Sequence, residues 1–349
     1  MANDTPLTAA RHYQGARYES IRGVRMAADF GATAAEYQAA RSGAALFDRS
    51  DRGRIVLTGE DVRRWLHTLV TNTVESLEDG AGSYAFAVDV KGRILFDMNI
   101  LCAGAAASGA LWLDIDQLVA GPAAAHFDRY LFTEDVQVAV ASDHDARLAC
   151  SGPDAPAIAG KLGVSDLLSH PALASFPLTE DTVRLFRHDL TGLPGFELIV
   201  PRAAAAEWWD RLAEAGATPA GHAVLNVLRI EAGIPWLGHD LDDRVLPAET
   251  GQLDRAVSPA KGCYLGHEII ERMRSRGVQA QRLVRLASEQ GEGLKLPAPL
   301  QQDGREVGRL TSLVRHPCGP RWVGLGYLKT AVTSTTSLTA GDTPIHVVA

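Results

Sequence analysis

The sequence predicts an α+β protein that ends in a small β-barrel. Up to residue 280, segments with apolar residues at helical spacings of three and four alternate with short strand-like segments. These segments show no long crossovers of a uniform parallel kind. After residue 280, short strands are divided by Gly, Pro, Asp and Ser, which is typical of a small barrel. We therefore expect a core over residues 1–280 and a barrel domain over residues 281–349.

The composition excludes several classes of protein. Hydrophobic residues make up 46% and charged residues 22%, as in ordinary globular proteins. The net charge of −8 argues against a general nucleic-acid binder. The start of the sequence shows no secretory signal, and charges and a proline interrupt the longest apolar region, over residues 111–125, so we expect no membrane span. The four cysteines form no C-x-x-C pair, which favours the reducing cytoplasm and excludes the familiar zinc and iron–sulfur spacings.

The first half of the chain predicts helices, strands and one hairpin. The chain is interpreted as beginning with a short polar arm, before the first predicted helix. Helices are expected over residues 34–42 and 62–69 and up to about residue 131, and strands from residue 54 and over residues 111–115. Residues 83–88 and 94–101 are expected to pair as a hairpin, because a Lys-Gly turn divides two apolar strands.

The second half continues in the same way. Strands are expected over residues 136–141, 147–151, 183–188 and 195–200, and helices over residues 155–162, around residues 208–213 and over residues 222–229. Neither a G-x-G-x-x-G motif after a strand nor a Walker-type loop is present, so a dinucleotide or P-loop fold is not expected.

The most informative run is K-G-C-Y-L-G-H-E, over residues 261–268, which opens a predicted helix that ends at Gly277. A cysteine at a helix start lies near the positive end of the helix dipole, and Lys261 adds a cation. Both effects lower a thiol pKa, so Cys263 is a candidate reactive thiol. The alternative is that Cys263 is a small buried hydrophobic residue and Lys261 a solvated charge.

This run resembles the K-G-C-[FY]-x-G-Q-E signature of the YgfZ-type folate-binding proteins, which assist iron–sulfur cluster assembly or repair. His267 replaces the usual Gln. That family is related to the T-protein, the aminomethyltransferase of the glycine cleavage system. Further segments resemble these families in the same order. They are the G-x-F-D-x-S segment within residues 43–50, where Phe47, Asp48 and Ser50 match, R-I-E-A-G-I-P at 229–235, P-A-E at 247–249, and barrel segments at 308–312 and 324–328. The resemblance implies two interleaved α+β units and a C-terminal barrel around a central channel that binds tetrahydrofolate.

The resemblance also implies which residues bind the folate. Acidic side chains from the second region face the pterin, whose adjacent N–H donors a carboxylate accepts in pairs, so Glu231 and Glu249 are candidates. The alternative is a salt bridge to Arg229 or a solvated loop charge. Tyr84 is expected nearby, and Arg282 is a candidate for the glutamate tail, although a solvated arginine is an equal alternative.

Asp97 is the candidate residue beside the reactive part of the folate. In the T-protein the matching strand carries an acidic pair, whereas here the pair reads Phe96-Asp97. Neighbours in a strand point to opposite faces, so Asp97 cannot replace the missing first acid. This departure counts against methyl or methylene transfer by the T-protein route.

Three functions are therefore considered. The first is a tetrahydrofolate-binding accessory protein for iron–sulfur client proteins, in which Cys263, activated by Lys261, carries a redox or sulfur-related role. The second is a tetrahydrofolate-dependent aminomethyl- or methyltransferase acting on a small amine or sulfonium. The third is a scaffold that binds no folate. No metal site is expected, because residues 239–243 and 267–271 lack EF-hand and H-E-x-x-H spacing. No G-x-S-x-G motif is present, so residues 143–145 are not expected to belong to a serine hydrolase site.

Overall fold

The computed structural model describes residues 3–103, 109–178, 182–277, 279–332 and 337–348. Within these residues the α-helices are Thr33–Ser42 (α1), Val62–His67 (α2), Ala120–Asp128 (α3), Ala155–Lys161 (α4), Ala205–Glu214 (α5), His222–Glu231 (α6), Leu253–Ala256 (α7) and His267–Arg276 (α8). None of them is long and apolar enough to cross a membrane.

The β-strands precede, separate and follow these helices. They are Asn3–Asp4 (β1), Arg17–Ile21 (β2), Val24–Asp29 (β3), Ala45–Asp48 (β4), Arg52–Thr58 (β5), Gly82–Val88 (β6), Ile94–Cys102 (β7), Leu111–Asp116 (β8), Gln137–Val140 (β9), Asp145–Ser151 (β10), Ser175–Leu178 (β11), Val183–Arg187 (β12), Gly195–Pro201 (β13), Thr218–Ala220 (β14), Gln281–Ser288 (β15), Ala298–Gln302 (β16), Arg305–Arg315 (β17), Trp322–Lys329 (β18), Leu338–Ala340 (β19) and Thr343–Val348 (β20).

The strands form three open sheets and a closed barrel. The open sheets have the orders β1-β3-β2, β6-β7-β8-β5-β9 and β11-β12-β13-β10-β4-β14, and the barrel runs β15-β18-β17-β16-β19-β20. The α+β class and the C-terminal barrel predicted from the sequence are therefore confirmed. Strand β4 lies between β10 and β14, although the whole five-stranded sheet follows it in sequence. The two large sheets are thus interleaved along the chain.

The five-stranded sheet contains the predicted hairpin of β6 and β7. Tyr84 is paired with Asn99, and Phe86 with Asp97. Because strand residues alternate between faces, Asp97 and Asn99 share one face while Phe96 points to the other. Phe96 packs there against the core formed by α2, α3 and the sheet, with its ring 5.7 Å from that of His126. The polar face of β7 is thus directed away from that core.

The interpretation of the first residues as a polar arm is wrong. Leu7, Tyr13 and Met26 are fully buried, and β2 and β3 form a hairpin. Tyr13 also donates its hydroxyl hydrogen to Asp48 at 2.7 Å, which fixes the start of the chain against β4. The elements in this segment are too short for a periodic pattern, so its burial could not be predicted from spacing.

Candidate functional site

The polar face of β7 borders a cavity of about 470 Å³ between the two large sheets. A smaller cavity of about 40 Å³ adjoins it and shares four of its lining residues. We call the two together the chamber. The shared residues are Tyr84, Asn99, His188 and Arg255. The small cavity adds Asp97, Arg49, Arg52 and Trp236, and the large one adds Asn72, Ser83, Leu173 and Asp189. The chamber thus gathers charged, amide and aromatic groups from both sheets.

Tyr84 and Asp97 are joined in the chamber wall. The Tyr84 hydroxyl donates to Asp97 Oδ2 at 3.0 Å. Burial, followed by the Asp97 carboxylate, raises the pKa of Tyr84 well above its ordinary value, so the phenol remains a donor. Asp97 Oδ1 and Asn99 Oδ1 are buried and have no hydrogen-bond partner among the described residues. Two buried acceptor atoms on one face of β7, beside the chamber, are thus without a partner among the described residues.

A cluster of buried ions lies behind this wall. Asp114 is paired with Arg52 and Arg147, both at 3.1 Å, and it accepts a hydrogen bond from Asn99 Nδ2 at 2.8 Å. Burial acts to raise the pKa of Asp114, but the two guanidinium groups outweigh it and hold that pKa well below its usual range. Since Asn99 donates to a fixed carboxylate, its oxygen is held in a defined orientation.

His188 connects the chamber to the same cluster. Its Nδ1 lies 2.5 Å from Oε1 of Glu197, which is 1% exposed and lies 3.7 Å from Nη1 of Arg49. Burial acts to raise the pKa of Glu197, but Arg49 and the bond to His188 lower it below its ordinary value. Glu197 is thus an ionised partner that fixes the His188 ring at the chamber surface.

Arg255 lines both cavities of the chamber. Its guanidinium carbon lies 4.1 Å from the centroid of the Tyr84 ring. Asn72 donates from Nδ2 to the backbone carbonyls of Tyr84 and Arg255, at 2.8 and 2.9 Å. One amide side chain therefore fixes the two residues relative to each other.

The structure brings Tyr84 and Asp97 together, as the sequence predicted, but it places Glu231 elsewhere. Glu231 ends α6 and accepts hydrogen bonds from the Tyr37 hydroxyl at 2.8 Å and from Arg321 at 3.4 Å, and His316 Nε2 lies 3.2 Å away. These partners belong to α1 and to the barrel, and Glu231 does not line the chamber as described. The alternative partner from the sequence, Arg229, is paired with Asp240 instead.

Glu249 and Arg282 also lie outside the described lining of the chamber. Glu249 is buried in a short turn. Its side chain accepts hydrogen bonds from the backbone N–H of Leu246 at 3.1 Å and from the side chain of Gln281 at 3.0 Å. Arg282 lies on β15 and donates to the carbonyls of Thr330 and Val332, at 3.3 and 2.9 Å. Both side chains have local structural partners at these positions.

The motif at Lys261 is arranged differently from the sequence prediction. Lys261 is buried, and its ammonium donates to the carbonyls of Val70 and of Asn72, the latter at 2.8 Å. Burial lowers the pKa of Lys261 to about 7. Helix α8 starts only at His267, so the exposed thiol of Cys263 lies before its first turn. Lys261 thus stabilises the loop at residues 70–72. The predicted position of Cys263 at the start of the helix is wrong.

Gly266 explains this delay in the helix. It adopts φ 79°, and a Cβ atom there would lie 2.6 Å from the carbonyl oxygen of Asp89. A glycine is therefore required at this point, and the helix can begin only after it. The ring of His267 then lies 4.7 Å from that of Tyr264.

Several chamber residues were not among those predicted from the sequence. Asn99 could have been found, because it lies two residues after Asp97 and so on the same strand face. Glu197 interrupts the apolar strand at 195–200, and a charge in such a run signals a buried ion pair. His188, Arg255 and Asn72 have no such signal. The part of the chain that the structure describes contains no group of three or more His, Cys, Asp or Glu side chains able to hold a metal ion.

Comparisons with known proteins agree on one family. The model of the family described as "GCVT N-terminal domain" matches residues 7–261. The aminomethyltransferase of Rubrobacter xylanophilus is 31% identical over 330 residues, which cover 93% of this chain and 86% of the relative. That of Ralstonia pickettii is 33% identical over 264 residues, covering 71% and 69%. The crystal structure of the glycine cleavage system aminomethyltransferase T from Bartonella henselae superposes with a TM-score of 0.87 at 21% identity, over 100% of this chain and 97% of that one.

Proposed function

Because the chain belongs to the aminomethyltransferase family, we propose that it is a tetrahydrofolate-dependent transferase that moves a one-carbon unit from a small amine donor. The observation that carries the proposal is the Asp97 carboxylate at the chamber, fixed at one oxygen by Tyr84 and unpaired at the other among the described residues. This agrees with the second function considered from the sequence. The apolar residue Phe96 does not argue against it, since its side chain packs on the opposite face of β7.

The chamber residues fit a reduced folate. A cavity of about 470 Å³ lies within the usual range for cofactor sites. The ring of a reduced folate carries N–H donors, and Asp97 and Asn99 present buried acceptor atoms without partners among the described residues. We assign Tyr84, Asp97, Asn99, His188 and Arg255 to the folate site, in place of Glu231 and Glu249. When bound, tetrahydrofolate supplies a secondary amine nitrogen that accepts the one-carbon unit.

Asp97 has the catalytic role in this proposal. If tetrahydrofolate is bound with its accepting nitrogen at Asp97, then Oδ1, the oxygen that Tyr84 does not engage, would take the proton which that nitrogen loses and would return it to the donor amine as that amine leaves. Tyr84 holds the carboxylate in position through Oδ2. His188, held by Glu197, and Asn99, held to Asp114, orient the ring of the cofactor.

The test is calorimetric titration with tetrahydrofolate, followed by a turnover assay with Asp97→Asn. Asparagine keeps a hydrogen-bond acceptor for Tyr84 but is not a base. We expect the variant still to bind tetrahydrofolate, about tenfold more weakly because an amide N–H group replaces the acceptor Oδ1, and to lose roughly 10²–10⁴-fold in turnover. Asp128→Asn, at an exposed aspartate, is the control. Absence of tetrahydrofolate binding by the wild type would leave the third function, a scaffold that binds no folate.

The finer assignment to the YgfZ-type proteins, with a role in iron–sulfur cluster assembly or repair, stays a prediction. One observation favours it as a second candidate: Cys263, in the motif that carries the resemblance, is exposed. Lys261 donates to loop carbonyls, so a role for this thiol does not depend on activation by that cation. We also retain the division into a folate-binding core over residues 1–280 and a barrel domain over residues 281–349 as a proposal.

A further inference from the structure

Arg255 differs from the other arginines of the chamber in having no carboxylate partner among the residues that the structure describes. Arg49 is paired with Asp51 at 2.9 Å, and Arg52 with Asp114 at 3.1 Å. Within the described ranges, the Arg255 guanidinium contacts the face of the Tyr84 ring at 4.1 Å but forms no ion pair. A cation–π contact of this kind holds a guanidinium in place and leaves its N–H donors available.

The surroundings fix the backbone of Arg255 and do not neutralise its exposed side chain. The Asn72 side chain donates to the Arg255 and Tyr84 carbonyls, so both backbones are held together. Asp189, the acidic residue that lines the large cavity, is engaged elsewhere: it accepts hydrogen bonds from Arg187 and from the Gly195 N–H, both at 3.1 Å. A positioned cation therefore remains at the edge shared by the two cavities.

Tyr84 contacts both the Arg255 cation and the Asp97 carboxylate. Its ring carries Arg255 on one face, and its hydroxyl donates to Asp97. Among the described residues Asp97 forms no ion pair, although Arg52 and Arg22 are near enough to interact with it electrostatically. The chamber thus offers a negative group and a positive group held at two positions around a single aromatic side chain. A ligand that carries both an amine and a carboxylate matches this arrangement.

We propose that Arg255 is the carboxylate-binding residue of the chamber and determines its specificity for ligands that bear such a group. The inference rests on the proposed function and deepens it. Two molecules can supply the carboxylate: the glutamyl tail of tetrahydrofolate, or a small amino-acid donor whose amine faces Asp97. Both are recognised by the same charge-assisted hydrogen bonds from the guanidinium.

The test compares ligands with and without a carboxylate on Arg255→Gln. Tetrahydrofolate is titrated beside 6-methyltetrahydropterin, which keeps the reduced ring but lacks the tail. N-methylglycine is titrated beside dimethylamine, with 6-methyltetrahydropterin present at saturation. We expect a loss of affinity of about tenfold for one or both carboxylate ligands, and a change of less than about twofold for the ligands that lack a carboxylate.

The pattern of losses identifies the source. If Arg255→Gln loses affinity for tetrahydrofolate, Arg255 binds the glutamyl tail. If the variant loses affinity for N-methylglycine, Arg255 binds the carboxylate of the donor. Equal weakening with and without the carboxylate, or no weakening at all, overturns the inference while wild-type pterin binding upholds the proposed function. Failure of the wild type to bind either pterin overturns both together.

Two further variants guard against an indirect effect. Arg211→Gln removes another arginine stacked on an aromatic ring, that of Trp208 at 4.5 Å on α5, and we expect it to change none of the affinities. Arg255→Lys keeps the charge but not the planar fork, so its loss is expected to be smaller than that of Arg255→Gln.

Discussion

Nδ1 of His188 lies 2.5 Å from Oε1 of Glu197, and this contact joins the surface of the chamber to the buried ion cluster behind it. Glu197 is 1% exposed and is also flanked by Arg49 and Arg147, at 3.7 and 3.8 Å. The carboxylate therefore compensates several buried cationic groups at once. Its removal tests both the stability of the core and the position of His188.

Glu197→Ala is expected to destabilise the protein strongly. Loss of one partner from a buried ion cluster leaves uncompensated charge, which typically costs about 3–5 kcal/mol of unfolding free energy. Urea denaturation followed by circular dichroism measures this cost. Glu207→Ala, at an exposed glutamate on α5, is expected to change the free energy by less than about 0.5 kcal/mol. Equal stability of the two variants would contradict a compensating role for Glu197.

Lys261 makes stability depend on pH in a defined window. Burial lowers its pKa from 10.5 to about 7. Between these values the unfolded chain binds more protons than the folded chain, so the contribution of this group to stability rises with pH. Below pH 7 the cost of burying the charged form is fully present.

Lys261→Met should remove that dependence. Relative to wild type, we expect the variant to be most stable below pH 7 and to lose that advantage progressively up to about pH 10. Unfolding titrations at several pH values measure the difference. Lys161→Met provides the control, because Lys161 is exposed and also donates to a backbone carbonyl, that of Ala215 at 2.6 Å. If the difference in unfolding free energy between Lys261→Met and wild type stays constant with pH, the pKa of Lys261 is not lowered.

Glu231→Ala separates the structural position of this residue from the pterin role that the sequence implied. Its partners are Tyr37, His316 and Arg321, so its loss should weaken the contact of α1 and α6 with the barrel by about 1–2 kcal/mol. Tetrahydrofolate affinity is expected to remain unchanged. Calorimetric titration of the folded variant with tetrahydrofolate measures this affinity. Markedly weaker binding would show that Glu231 contributes to the folate site.

Cys263→Ser tests the accessory role directly. The thiol is exposed, so we expect a change in unfolding free energy below about 0.5 kcal/mol and unchanged tetrahydrofolate affinity. If the role in iron–sulfur metabolism is correct, cells that carry this variant should lose activity of iron–sulfur enzymes. Cys318→Ser, the other exposed thiol of the described chain, is the matched control. Equal enzyme activities in both strains would exclude a separate role for Cys263.

The sequence predicted the elements of regular spacing and the residues that depend on them. The hairpin of β6 and β7 follows from its alternation and turn, and Asp97 from its place in that hairpin. Motif context alone could not place Glu231, because its position depends on how α6 packs against the barrel. Arg255 reaches the chamber only through its contact with Tyr84, which is distant in sequence. Side chains brought in by tertiary packing leave no local pattern.

The position of β4 has a consequence for biosynthesis. Residues Ala45–Asp48 pair with β10, and with Thr218–Ala220 in parallel, so their neighbours are translated long after them. The five-stranded sheet, by contrast, is built from the continuous segment between β5 and β9. We therefore expect this sheet to form first on the ribosome. Strand β4, which contains the buried residue Phe47, remains unpaired until β10 has been synthesised. A nascent chain stalled before residue 218 would have β10 in place and would leave uncovered only the edge of β4 that Thr218–Ala220 pairs with.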